Sequence, residues 1–133
     1  MGSVMKTVAC AMAMLAMLAL VNHPWVQAAS DNCNGSRMCE RHVTADDCRN
    51  AVSRFTDGHD YSQYTSRVYG RCTAIFRCGS FYPSVNGASL KQNFLHVYKN
   101  QPCQKCGSHA FYGGMCQATL NYCANCRDAG DPN

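Results

Sequence analysis

The sequence is poor in charged residues, and its charges are dispersed. Asp, Glu, Lys and Arg make up 15% of the 133 residues, with twelve Lys and Arg against eight Asp and Glu. Because no block of like charge is present, the mild basicity does not indicate nucleic-acid binding. Internal repeats, low-complexity segments, paired carboxylates, a serine elbow and a glycine-rich phosphate loop are also absent. The length predicts one domain, and no motif predicts an enzyme.

An apolar run is present near the N-terminus, but it is short. Val8–Val21 contains fourteen apolar residues, whereas a membrane span needs roughly 20. The run follows one lysine and precedes a break at Pro24 and small residues up to Ala28, as in a secretory signal peptide. We therefore expect a signal peptide over residues 1–28, one secreted extracellular domain over residues 29–133, and no stable membrane insertion.

Cysteine is the most informative residue type that the chain contains. Cleavage after Ala28, or after the alternative Ala29, removes Cys10 and leaves ten of the eleven cysteines. An even number in a small secreted domain predicts five disulfides, and each typically adds about 2–4 kcal/mol by restricting the unfolded chain. The predicted disulfide residues are Cys33, Cys39, Cys48, Cys72, Cys78, Cys103, Cys106, Cys116, Cys123 and Cys126.

The last cysteines also have the spacing of a metal site. Cys103, Cys106, Cys123 and Cys126 form two C-x-x-C pairs separated by sixteen residues, which fits a zinc site. Zinc would need four reduced thiolates in an oxidising compartment and would leave Cys116 and its partners unaccounted for, so disulfides are favoured. A thioredoxin-like redox role is disfavoured because it needs a cytosol-like setting. No metal or other cofactor is expected.

Hydrophobic periodicity predicts a helix followed by a long strand. The helix covers Thr44–Phe55: Thr44 and Asp47 have capping-box spacing, and the apolar stripe turns Cys48 inward to be bridged. The strand covers Val68–Tyr82, which is rich in aromatic and β-branched residues. Period-two spacing places Cys72, Ala74, Phe76 and Cys78 on one face of this strand, and Arg71, Thr73, Ile75 and Arg77 on the other.

A second helix and two further strands are predicted in the C-terminal half. Ser89 caps an amphipathic helix that runs to about Lys99. Ala110–Tyr112 and Gln117–Ala124 are the strands, joined through Gly113-Gly114. This order predicts a small disulfide-rich α+β fold in which two helices cover one face of an antiparallel sheet.

Several short motifs, in order along the chain, resemble one protein family. They are Asn32–Cys39 (NCNGSRMC), Cys72 at the start of a strand, Cys103–Ser108 (CQKCGS) and Leu120–Tyr122. Together they are similar to the killer toxin four family, which comprises a virally encoded killer toxin of smut fungi and its cellular relatives. The resemblance implies a secreted, non-enzymatic α/β-sandwich with two antiparallel helices on one face of the sheet.

The resemblance also implies part of the disulfide pattern. Cys33 would pair with Cys103, and Cys39 with Cys106, which attaches the start of the domain to the first C-x-x-C block. The resemblance does not determine how the other six cysteines pair. The preferred arrangement bonds Cys48 to Cys72 or Cys78.

The function that the resemblance implies is antifungal or growth-modulating, by perturbing calcium entry through cell-surface channels. The family's functional cation is a lysine two residues before the equivalent of Cys72, where this chain has Gly70. A basic side chain acts on a cation channel because its charge competes with the ion. Three arginines nearby are the expected target-binding residues, and three lysines come next: Arg67, Arg71 and Arg77, then Lys91, Lys99 and Lys105.

A cell-wall or glycan-binding protein without toxin activity is the alternative. Its stacking surface would come from aromatic side chains, namely Tyr61, Tyr64, Tyr69, Phe76, Phe81 and Tyr82.

Asn34 lies in an N-glycosylation sequon. Four histidines in the secreted domain share no element, so no catalytic pair is expected: His42, His59, His96 and His109. We expect a monomer whose partner is a fungal or other cell-surface channel or a wall glycan, and not a nucleic acid.

Overall fold

A computed structural model describes residues 28–81, 84–99 and 103–130 of the protein. The predicted signal peptide lies outside the described residues except for Ala28. Within the described part the fold is α+β, as predicted. Its elements are helices α1 (Cys39–His42), α2 (Ala45–Ser53) and α3 (Gly87–Lys99), and strands β1 (Asp60–Tyr61), β2 (Tyr64–Tyr69), β3 (Cys72–Cys78), β4 (Val85–Asn86), β5 (Gly107–Phe111) and β6 (Cys116–Tyr122).

The centre of the fold is a four-stranded antiparallel sheet in the order β2-β3-β6-β5. Ala74 in β3 lies opposite Arg67 in β2 and Leu120 in β6, and this register aligns the apolar residues of the two central strands. Strands β1 and β4 form a separate two-stranded antiparallel ladder.

Both edges of the four-stranded sheet are paired with the ends of the described chain. Asn32 and Ser108 exchange backbone hydrogen bonds of 3.0 and 2.8 Å along the β5 edge. Ser66 and Ala129 exchange hydrogen bonds of 2.8 and 3.1 Å along the β2 edge. These two short pairings therefore occupy backbone groups that edge strands usually leave open.

The hydrophobic core lies between one face of the sheet and the helices α2 and α3. Cys72, Ala74, Phe76 and Cys78 share one face of β3, as predicted, and this face is turned to the core, since the first three are fully buried and Cys78 is 8% exposed. Helix α2 packs on β2 and β3, whereas α3 packs on β5 and β6. The helices meet through the stacked rings of Phe55, just beyond α2, and Phe94, whose centroids are 5.3 Å apart.

Helix α2 begins where its capping residues predict. Thr44 is the N-cap, its Oγ1 accepts a hydrogen bond from the Asp47 N–H at 3.0 Å, and the Asp47 carboxylate accepts one from the Thr44 N–H at 3.4 Å. These bonds satisfy two donors that the first turn would otherwise leave open. Helix α3 begins at Gly87, two residues before the predicted Ser89 cap, and the Asn86 side chain accepts from the Ala88 N–H at 3.0 Å.

The long strand predicted over Val68–Tyr82 is wrong, because the chain turns back at Gly70. Strand β2 ends at Tyr69 and β3 begins at Cys72, so the two form a hairpin with a two-residue turn. Gly70 has a φ of +55°, which a two-residue hairpin turn demands and which favours glycine. Tyr82, the predicted end of the strand, lies outside the described residues.

Five disulfides join the ten described cysteines. Two have the pairing that the resemblance implies, one has the preferred arrangement of Cys48 with Cys72, and the last closes the second C-x-x-C block on itself. The pairs are Cys33–Cys103, Cys39–Cys106, Cys48–Cys72, Cys78–Cys116 and Cys123–Cys126. The four cysteines with zinc-site spacing are thus all in disulfides.

Candidate functional site at the β2–β3 turn

The turn at Gly70 is tightly packed against the start of helix α2. A Cβ atom at Gly70 would overlap the carboxylate of Asp47, the residue that completes the helix cap. Together with its positive φ, this contact explains glycine at the position where the resemblance places a functional lysine. A lysine there would have to displace Asp47 and adopt a strained backbone.

Arg71 follows Gly70 and is held by its main chain, whereas its side chain is exposed. Its carbonyl accepts a hydrogen bond of 3.0 Å from the Cys123 N–H, and the next residue, Cys72, is bonded to Cys48 in helix α2. Within residues 28–81, 84–99 and 103–130, no hydrogen bond or ion pair engages the Arg71 guanidinium. The turn thus presents a fixed backbone with a positive charge available to a partner.

Arg67 lies in the core, where it cannot contact a partner. The residue is 4% exposed, and its guanidinium carbon lies 5.5 Å from the centroid of the Phe55 ring and 5.2 Å from that of Tyr61. Its Nη1 donates to the carbonyls of Ser66 at 2.8 Å and Ala129 at 3.4 Å. Arg67 therefore holds together helix α2, strand β2 and the C-terminal segment.

Arg77 is exposed but lies at the other end of strand β3. Its guanidinium carbon is 5.7 Å from the centroid of the exposed Tyr64 ring, directly across the strand pair. Arg77 lies six positions along the chain from Arg71, a distance of about 20 Å in an extended strand. The three predicted arginines therefore do not form one patch.

The three predicted lysines also have separate positions. Lys91 pairs with Asp57 at 2.7 Å, and the Lys105 ammonium donates to the Glu40 carbonyl at 2.7 Å. Lys99 is exposed at the end of α3, and Asn34 of the sequon is exposed too.

Sequence reasoning missed Arg54, which lies beside the Gly70 turn. Its guanidinium pairs with Asp128 at 2.7 Å and donates to the Val68 carbonyl. Asp128 in turn accepts from the Val68 N–H at 2.8 Å. The sequence gives little indication of this cluster, because Asp128 is far along the chain from both Arg54 and Val68.

The aromatic residues proposed for glycan stacking divide into two sets. Tyr61 and Phe76 are buried, whereas Tyr64, Tyr69 and Phe81 are 45%, 49% and 89% exposed. Tyr82 lies outside the described residues.

Two of the four histidines come together, although no shared element predicted this. His96 in α3 and His109 in β5 have ring centroids 4.8 Å apart, and Asp31 lies 3.1 Å from His109 Nδ1. Among the described residues, no group of three or more His, Cys, Asp and Glu side chains is placed to hold a metal ion. In that same part of the chain no helix is both long and apolar enough to cross a membrane.

The fold and the five disulfides define a small disulfide-rich α+β protein, a class typical of extracellular proteins. Residues 31–126 match the model of the Meiotically up-regulated gene family, MU117. This match covers more than half of the chain, and the protein belongs to that family. No curated protein matches the chain.

Proposed function

We propose that the protein is secreted and perturbs cation entry, above all calcium entry, at the surface of a target cell, with Arg71 as its contacting charge. The observation that carries the proposal is the exposed Arg71 guanidinium on a turn whose backbone is fixed by the Cys48–Cys72 disulfide and by Cys123. Five disulfides support secretion, because such bonds persist in oxidising compartments.

A fixed cation suits this role for electrostatic and entropic reasons. Cation channels hold their ion with carbonyl or carboxylate oxygens, and a guanidinium can bind the same oxygens in a fork geometry. A turn that is already ordered loses little conformational entropy when it binds. The resemblance to the killer toxin four family supports the same kind of action, with Arg71 in place of the lysine expected at Gly70.

The family description supports one class of target cell besides competing fungi. It relates the family to genes up-regulated in meiosis, so we include the producing organism's own mating and sporulating cells among the targets. Both cell types belong in the assay.

The test compares calcium uptake and growth with purified oxidised protein and its Arg71→Ala variant. We expect the parent protein to reduce uptake, added calcium to relieve the effect, and Arg71→Ala to lose at least tenfold in potency at an unchanged melting temperature. Arg77→Ala is the matched control, since it removes an equally charged side chain about 20 Å away. Inhibition that calcium does not relieve, or equal potency of both variants, would contradict the proposal.

Glycan binding is the second candidate, favoured by the exposed Tyr64 ring beside Arg77 on the sheet face away from the helices. An aromatic ring next to a charged donor is suited to stack on a sugar and hydrogen-bond its hydroxyl groups. Retention of the protein on insoluble chitin or glucan, lost in Tyr64→Ala and kept in Arg71→Ala, would favour this function over the first.

A further inference from the structure

A groove of about 220 Å³ runs between helices α2 and α3, on the outer side of the core. Its lining is mostly apolar, with Val52, Phe94 and Leu95 in the middle. The charge of Arg49 lowers the pKa of Tyr98, whereas Asp57, beyond the end of α2, pairs with Lys91 near the start of α3, so the two helices are antiparallel. Arg49 and Tyr98 therefore lie towards one end of the groove and Lys91 towards the other. Lys91 and Tyr98 are seven residues apart, so the groove is about 10 Å long.

The Tyr98 hydroxyl is the unusual group in this groove. It is buried, and no described residue provides it with a hydrogen-bond partner. Burial raises its pKa to about 12, and the charge of Arg49 partly opposes the rise. The hydroxyl is therefore a protonated donor at every physiological pH. A buried donor without an acceptor costs about 1–3 kcal/mol, which a ligand with an acceptor would recover.

The positive charge of Arg49, at the same end of the groove as Tyr98, favours an anionic acceptor. Arg49 and Lys91 pair with the exposed carboxylates Asp46 and Asp57 at 2.8 and 2.7 Å. Exposed pairs of this kind contribute roughly 0–1 kcal/mol, so Arg49 can exchange Asp46 for a ligand anion at little expense. An anionic oxygen between Arg49 and Tyr98 would accept from both donors.

We propose that the groove between α2 and α3 binds a small amphiphilic carboxylic acid, with its carboxylate at Arg49 and Tyr98 and its hydrocarbon chain over Val52, Phe94 and Leu95. The volume corresponds to roughly seven non-hydrogen atoms at about 30 Å³ each. Seven atoms correspond to a carboxylate group and about four further chain carbons, so the last carbons of a longer acid would extend beyond the groove, which is smaller than the roughly 300 Å³ at which drug-sized pockets begin. This site is separate from the Arg71 turn.

The test is an NMR titration of the ¹⁵N-labelled oxidised protein with sodium octanoate. We expect saturable shifts confined to amides of α2 and α3, with a Kd below about 1 mM. Octan-1-ol should bind at least tenfold more weakly than octanoate, and octylammonium should not bind. No saturation, shifts scattered over the sheet, or equal binding of octylammonium would overturn the proposal.

The Tyr98→Phe variant tests whether the Tyr98 hydroxyl donates a hydrogen bond to the ligand or instead stabilises the free protein. It removes the hydroxyl and keeps the ring, so octanoate should bind about tenfold more weakly while the melting temperature of the free protein stays equal or rises. Ser53→Trp should block the groove at its exposed rim. Tyr69→Phe is the matched control because it removes the hydroxyl of an exposed tyrosine elsewhere. Unchanged affinity in Tyr98→Phe, or a fall in its melting temperature, would refute the role of the hydroxyl.

Discussion

Arg67 is a charged side chain inside the core, and its surroundings explain how the core accommodates it. The faces of Phe55 and Tyr61 provide negative charge density, and the carbonyls of Ser66 and Ala129 accept its protons. A desolvated cation–π contact contributes about 2 kcal/mol, and hydrogen bonds to a charged group about 1.5–3 kcal/mol.

We therefore expect Arg67→Ala to lower the free energy of unfolding by about 3 kcal/mol, because it removes the cation and leaves two buried carbonyls without this donor. Chemical denaturation followed by tyrosine fluorescence measures the change. Arg77→Ala, at an exposed site, should stay within about 0.5 kcal/mol of the parent. Similar losses in the two variants would show that Arg67 is not a core residue.

Gly70 is a second residue whose role follows from its geometry. Gly70→Ala should destabilise the protein by about 1–3 kcal/mol, because its φ is positive and the new methyl group would displace Asp47 from the helix cap. Gly58→Ala is the control, since a Cβ at Gly58 meets nothing within 4 Å. Thermal unfolding of both variants decides the question, and equal melting temperatures would contradict the strained turn.

At the scale of single residues the sequence was a good guide to the cap of helix α2 and to the residues that share one face of β3, because both depend on spacing within a few residues. It was a poor guide to Arg67. An arginine between Ser66 and Val68 has the pattern of an exposed strand position, and its burial depends on Phe55, Tyr61 and Ala129, which come from other parts of the chain.

At the scale of elements, the hairpin of β2 and β3 is joined to helix α2 by the Cys48–Cys72 disulfide. Both sulfur-bearing residues are fully buried, and the bond spans 24 residues. The Cys123–Cys126 disulfide spans 3 residues and lies towards the surface. The two bonds therefore restrict the unfolded chain to different extents.

Removal of each disulfide should reflect that difference. The chain-entropy relation gives a loss of about 3.5 kcal/mol for Cys48→Ala with Cys72→Ala, and about 2 kcal/mol for Cys123→Ala with Cys126→Ala. The first pair also leaves a cavity in the core, which adds to its loss. Urea unfolding of the two double variants measures the order. A larger loss for the Cys123–Cys126 pair would contradict it.

The hairpin itself was hidden in the sequence. The apolar and β-branched residues from Val68 onwards continue the same period-two pattern on both sides of Gly70, so the pattern extends through the turn. Strand β2 is also polar around Ser66, and that position is buried by pairing with Ala129 rather than by a hydrophobic side chain. Composition alone could not reveal strand β2, because the residue that buries Ser66 is Ala129, near the other end of the chain.

At the scale of the whole molecule, the α+β class and the two helices on one face followed from the order of predicted elements. The long-range disulfides to Cys103 and Cys106 followed from the family resemblance, whereas Cys78–Cys116 required the register of β3 against β6. The candidate site could be predicted only in part, because the sequence grouped Arg67, Arg71 and Arg77 and the fold separates them. Only Arg71 combines exposure with a fixed backbone at the Gly70 turn.

The paired edges of the sheet have a consequence for what proteolysis at the C-terminal end would do. A protease that removes the tail from Asp128 onwards would free the backbone of β2, which could then accept a strand from a second molecule. We expect a chain that ends at Arg127 to self-associate in size-exclusion chromatography, whereas one that ends at Gly130 keeps the elution volume of the parent. Proteolytic trimming at this end would thus convert the protein into an assembling form.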